Sequence, residues 1–169
     1  PPEEIRELIH IAHEEGFAVM AHCNGARTAE AAAAAGLDSV EHGAYLDREA
    51  LLAYAEDWHK KPWPMLTAGM FASFIRTGSR RDCENPYFER RRRLCSAVLH
   101  VCLTGDATLL PDVEDGLVLL CEESVWAISA HAGLAAGHPF PDWRRTVVDL
   151  FAAQTAMIVS FVCQLLGER

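Results

Sequence analysis

The feature that most constrains this chain is an alternation near its amino terminus. In "FAVMAHCNGARTAEAAAAAGLDSVEHG", residues 17 to 43, two short apolar runs flank an alanine-rich segment, and a histidine, His22 or His42, closes each run. Phe17 to Ala21 is continuously apolar, which suits a strand buried on both faces. Thr28 to Ala35 has helical composition, its alanines form a smooth face that can pack closely on a sheet, and Gly36 stands where a helix would end. Leu37 to Glu41 then reads as the next strand.

The alternation extends in both directions. Residues 3 to 15 read as a helix, because Ile5, Leu8, Ile9 and Ala12 recur at helical spacing, Glu3 and Glu4 suit its positive end, and Gly16 can stop it. Asp47 can cap a helix from Arg48 to about Glu56, and Pro62 to Thr67 reads as a third strand. Ala97 to Leu103 reads as another strand, ending in Thr104, Gly105 and Asp106, while Leu117 to Ile128 and Thr146 to Leu166 read as helices. The expected class is α/β, with parallel strands alternating with helices and a helical carboxyl-terminal tail.

Half of the 169 residues are apolar, enough for a real core. Acidic residues outnumber Lys and Arg 24 to 15, and nothing in the balance recruits nucleic acid. The exception is residues 76 to 93, with seven arginines against three acids; such a run reads as a solvated helix face or loop rather than an anion patch. Six cysteines without a C-x-x-C pair, and no signal-peptide pattern at the start, are read as a cytoplasmic protein. Thr146 to Leu166 is apolar but interrupted by Asp149, Gln154 and Gln164, so a buried helix is expected there rather than a membrane span.

In parallel α/β folds, ligands gather at the carboxyl ends of strands, and His22, His42 and Asp106 all follow or close expected strands. Two imidazoles and a carboxylate form a donor set that suits zinc or a similar divalent ion. Such a metal lowers the pKa of bound water towards about 7, and a neighbouring carboxylate can carry its proton.

The local wording adds a likeness. "VMAHCNG" followed by "AGLDSVEHGAYLDREAL" resembles the fifth- and sixth-strand segments of the amidohydrolase superfamily, in particular its imidazolonepropionase-like and prolidase-like metal-dependent hydrolases, over residues 3 to 56. The resemblance implies a (β/α)8 TIM barrel, with His22 and His42 as metal ligands and Asp106 as the eighth-strand aspartate that touches metal and shuttles the proton. It implies hydrolysis of amide or other C–N bonds in a dipeptide or cyclic amide, with zinc as the expected cofactor. Glu41 and Gly43 correspond to the "EHG" turn, and Asn24 stands where many relatives have a second histidine.

The chain also departs from that pattern. It reads Thr104, Gly105, Asp106, Ala107, Thr108 where relatives have "GTDAG", and it lacks the H-x-H of the family's first strand; His10 and His13 form only an H-x-x-H on a helix. A full barrel takes roughly 250 residues. The expectation is therefore the carboxyl-terminal half of a barrel over residues 1 to 106, followed by a tail over 107 to 169. Exposed sheet edges should drive self-association. Two other readings stand beside this one: a noncatalytic α/β module in which the histidines pack, and a membrane-associated interaction protein whose function lies in the tail.

Overall fold

The computed structural model describes residues 2–59, 61–134, 137–142, 144–145 and 147–167. The chain forms two compact units, one ending at Tyr54 and the other starting at Ala55. The first is α/β and the second helical.

The first unit holds α1 (Pro2–Glu14), β1 (Met20–Gly25), α2 (Ala26–Ala34), β2 (Ser39–Tyr45) and the start of α3 (Arg48–His59). α1 ends where expected. Gly16 takes the left-handed conformation, its N–H reaches the His13 carbonyl, and the Phe17 N–H reaches that of Ala12, a closure that satisfies carbonyls which the last turn would leave unpaired. Gly36 closes α2 in the same way, with Gly36 N–H on Ala33 and Leu37 N–H on Ala32. The Asp47 carboxylate caps α3 by accepting the Ala50 N–H at 2.9 Å.

β1 and β2 pair in parallel, as the helix between them requires. Cys23, Ala29 and Ala32 make the buried centre of the unit, with Ala21, Leu37, Val40 and Leu46 around it, so the alanine face of α2 does pack on the sheet. Met20, His22 and Asn24 alternate with these residues along β1 and are exposed.

The second unit holds α4 (Ala68–Thr77), α5 (Arg81–Thr104), α6 (Leu110–Cys121) and α7 (Leu150–Leu166), with one turn of 3-10 helix at Ala107–Leu109. Its core joins Leu94, Ala97, Val98 and Val101 of α5 to Val113 and Leu120 of α6 and to Val162 and Leu166 of α7. Gly116 allows α6 close approach: a Cβ there would stand 2.6 Å from the Trp63 ring and 3.1 Å from Leu94.

Several expectations are corrected by the structure. Ala97 to Leu103 is the last part of α5 and not a strand, and Pro62 to Thr67 forms no strand. The helix expected over Leu117 to Ile128 begins at Leu110 and ends at Cys121. The tail helix runs from Leu150 to Leu166, and its expected start, Thr146, lies outside the described residues. The observed architecture is a mostly helical α/β fold with a two-stranded parallel sheet; no barrel is formed among the described residues.

Candidate functional site

The β1–β2 ladder fixes the neighbours of the two histidines. Met20 stands opposite Ser39, His22 opposite Glu41, and Cys23 opposite His42, with an irregularity before Gly25 meets Tyr45. Directly opposed residues of a parallel pair share a face of the sheet, so Glu41 is the cross-strand neighbour of His22. Glu41 is half-buried and accepts a hydrogen bond from the Ser39 hydroxyl at 2.9 Å. The His42 side chain lies outside the described residues.

Both histidines sit inside their strands rather than closing them. β1 continues through Asn24 and Gly25, and β2 through Gly43, Ala44 and Tyr45. Expectation and structure differ because the ladder shifts register at Asn24 but resumes between Gly25 and Tyr45, so both strands run on past their histidines.

Asp106 belongs to the second unit and follows a helix, so the strand-end argument does not apply to it. Gly105, in the left-handed conformation, closes α5, and the exposed Asp106 carboxylate then caps the 3-10 turn by accepting the Thr108 N–H at 2.9 Å. Those Thr108 hydrogen bonds hold its carboxyl below the ordinary range. A carboxylate so stabilised is a poor proton shuttle near neutral pH.

A metal site of the expected kind needs three or four donors. His22 and Glu41 offer an imidazole and a carboxylate side by side, and no cluster of three or more His, Cys, Asp or Glu able to hold a metal occurs among the described residues. The fit is that of part of a donor set.

The arginine run is the larger correction. Arg90, Arg91 and Arg93 are 8%, 3% and 7% exposed, so they form a buried polar layer of the second unit rather than a solvated face. Arg91 donates through Nη2 to Glu123 Oε2 at 2.7 Å, through Nε to Thr155 Oγ1 at 2.7 Å, and through Nη1 to the Tyr87 carbonyl at 3.0 Å. The Tyr87 hydroxyl donates to the Trp126 carbonyl at 2.6 Å. Arg93 pairs with Asp112, Nη2 to Oδ1 at 2.5 Å, and lies over the Trp63 ring at 4.3 Å, while the Trp63 indole also donates to Asp112. Each pair is buried and hydrogen-bonded, the condition under which a low-dielectric interior tolerates charge.

Burial pushes the thiols of Cys83 and Cys95 up, and the Tyr87 phenol likewise. These groups stay protonated at neutral pH, so neither thiol has the character of a nucleophile. No helix among the described residues is long and apolar enough to cross a membrane. No protein-family model and no curated protein matches the chain.

Proposed function

We propose that residues 2 to 54 are the fifth-to-sixth-strand segment of an amidohydrolase-type (β/α)8 barrel, contributing His22 and His42 to a divalent metal centre that hydrolyses amide or other C–N bonds. What supports this reading is the β1–α2–β2 unit itself, two parallel, hydrogen-bonded strands joined by a helix with His22 on one and His42 on the other; against it stands the register, in which His42 pairs with Cys23, one position on from the His22–Glu41 pair and so on the alternate face of the ladder. Dipeptides and cyclic amides are the substrate class the wording of the segment implies. A divalent ion held there would supply hydroxide at neutral pH. Within this chain, His22 would bind and Glu41, opposite it, would orient a ligand or accept a proton. Asp106, whose carboxylate caps the 3-10 turn of the second unit, has no role in this reading.

A second reading is a noncatalytic α/β module, favoured by the partial donor set and by strands that run on past the histidines. Zinc titration against a competing chromophoric chelator separates the two. The hydrolase reading expects one zinc per chain, with affinity reduced at least about tenfold in His22→Ala and in His42→Ala. Equal zinc binding by the unaltered chain and the double variant sinks the metal centre and leaves the module.

A further inference from the structure

The second unit contains a cleft of about 550 Å³ with apolar walls from Leu66, Phe71, Leu119, Val125 and Phe140, and Arg90 and Glu123 also line it. Its charge is unbalanced. Among the described residues Glu123 is the only carboxylate bonded to Arg90 and Arg91, accepting from Arg90 Nη1 at 3.4 Å and from Arg91 Nη1 at 3.3 Å and Nη2 at 2.7 Å. The carboxylate side chain is 4% exposed and the two guanidinium side chains 10% and 4%. Two cations on one anion leave one buried positive charge, and a buried charge is costly unless something pairs with it.

Arg90 is the member with donors to spare. Its Nε is held by the Pro64 carbonyl at 2.9 Å, but its Nη1 contacts, with Glu123 at 3.4 Å and the Leu119 carbonyl at 3.5 Å, are long. Its Nη2 makes no hydrogen bond among the described residues. A guanidinium with one strong bond and a loosely used edge can take a carboxylate side by side, through two charge-assisted bonds. Glu122, exposed at the rim, disfavours ligands with more than one negative charge.

We propose that this cleft binds a small monocarboxylate with an apolar body, its carboxylate on Arg90 and its body against Phe71, Val125 and Phe140. The proposal is independent of the hydrolase reading, since it concerns residues of the second unit alone.

Calorimetric titration of the full chain with 3-phenylpropanoate and with the isosteric 3-phenylpropanamide tests it. The acid should bind one per chain in the roughly millimolar range, and the amide at least about tenfold more weakly. Arg90→Gln, which removes the charge, should weaken the acid to the level of the amide, and Arg90→Lys, which keeps the charge and loses the fork, should fall between. If these variants fail to fold, Phe140→Ala serves instead, because Phe140 is 47% exposed and its truncation should weaken acid and amide by the same factor. Equal affinity for acid and amide, or no saturable binding of the acid at about 10 mM, overturns the proposal.

Discussion

Asp149 ends a loop, starts α7 and holds a histidine. Its Oδ1 accepts the Ala152 N–H at 2.7 Å, and its Oδ2 accepts the Ile128 N–H at 3.3 Å and meets His131 Nδ1 at 2.8 Å. Burial pushes this carboxyl up, but hydrogen bonds from Ala152, His131 and Ile128 outweigh burial, and the net shift is downward. A carboxyl depressed in the folded state contributes stability that is present above its unfolded value, about 3.9, and is lost as pH falls through the folded value. Urea midpoints should therefore hold between about pH 7 and 5 and drop below about pH 4. Asp149→Asn, which keeps a capping oxygen, should flatten part of that drop. An unchanged pH profile in the variant would remove Asp149 from the account.

On the scale of elements, α5 determines what the second unit is. Its buried positions include Tyr87, Arg90, Arg91, Leu94, Ala97, Val98 and Val101 at helical spacing, and with Arg93 three of the buried residues are arginines, of which Arg90 and Arg91 share one carboxylate. Glu123 meets both from the segment after α6, so Glu123→Ala should cost about 3–5 kcal/mol in urea denaturation, because it strands two buried cations. Glu123→Gln, which can still accept Arg91, should cost less. Equal stability of the unaltered chain and Glu123→Ala would mean that water reaches these guanidiniums.

The same helix explains where sequence reasoning stopped. Counting arginines as surface residues cuts α5 at residue 93, and the apolar remainder from Ala97 to Leu103 then looks like a strand. Leu94, Ala97 and Val101 carried the helical period, but only together with Tyr87 and Arg90 on its polar side. Glu123, 33 residues from Arg90 and 32 from Arg91, gives no local sign that it pairs with them. In the first unit the order of elements was legible, because Gly16, Asp47 and Gly36 mark boundaries with backbone chemistry that no distant residue has to complete, but Phe17 to Ala21 is not a strand buried on both faces: β1 starts at Met20, and Phe17 and Met20 are exposed. Strand ends were less legible, since hydrogen-bonded pairing carries β1 and β2 beyond the apolar residues that announced them.

At the scale of the whole molecule, the first unit is short of partners for its sheet. Two paired strands are marginal by themselves, and α2 covers only one face. On the other face Met20 is 66% exposed; Tyr45, at the far end of the ladder, is 76% exposed, and Phe17 just before it 68%. Edges with unpaired N–H and C=O groups beside such residues favour pairing with a second sheet. The second unit has its own apolar stripe on α7, where Met157, Phe161 and Leu165 recur every fourth residue and are each about half exposed. Both surfaces could drive association, and charge substitution tells them apart. If the sheet is responsible, light scattering on the 18.6 kDa chain should give a mass that rises with concentration, and Met20→Lys should shift it towards monomer while Phe161→Lys leaves it unchanged. The reverse pattern would assign association to α7. A sharp, concentration-independent monomer would argue against any need for missing strands, and with it against the barrel half on which the proposed hydrolase rests.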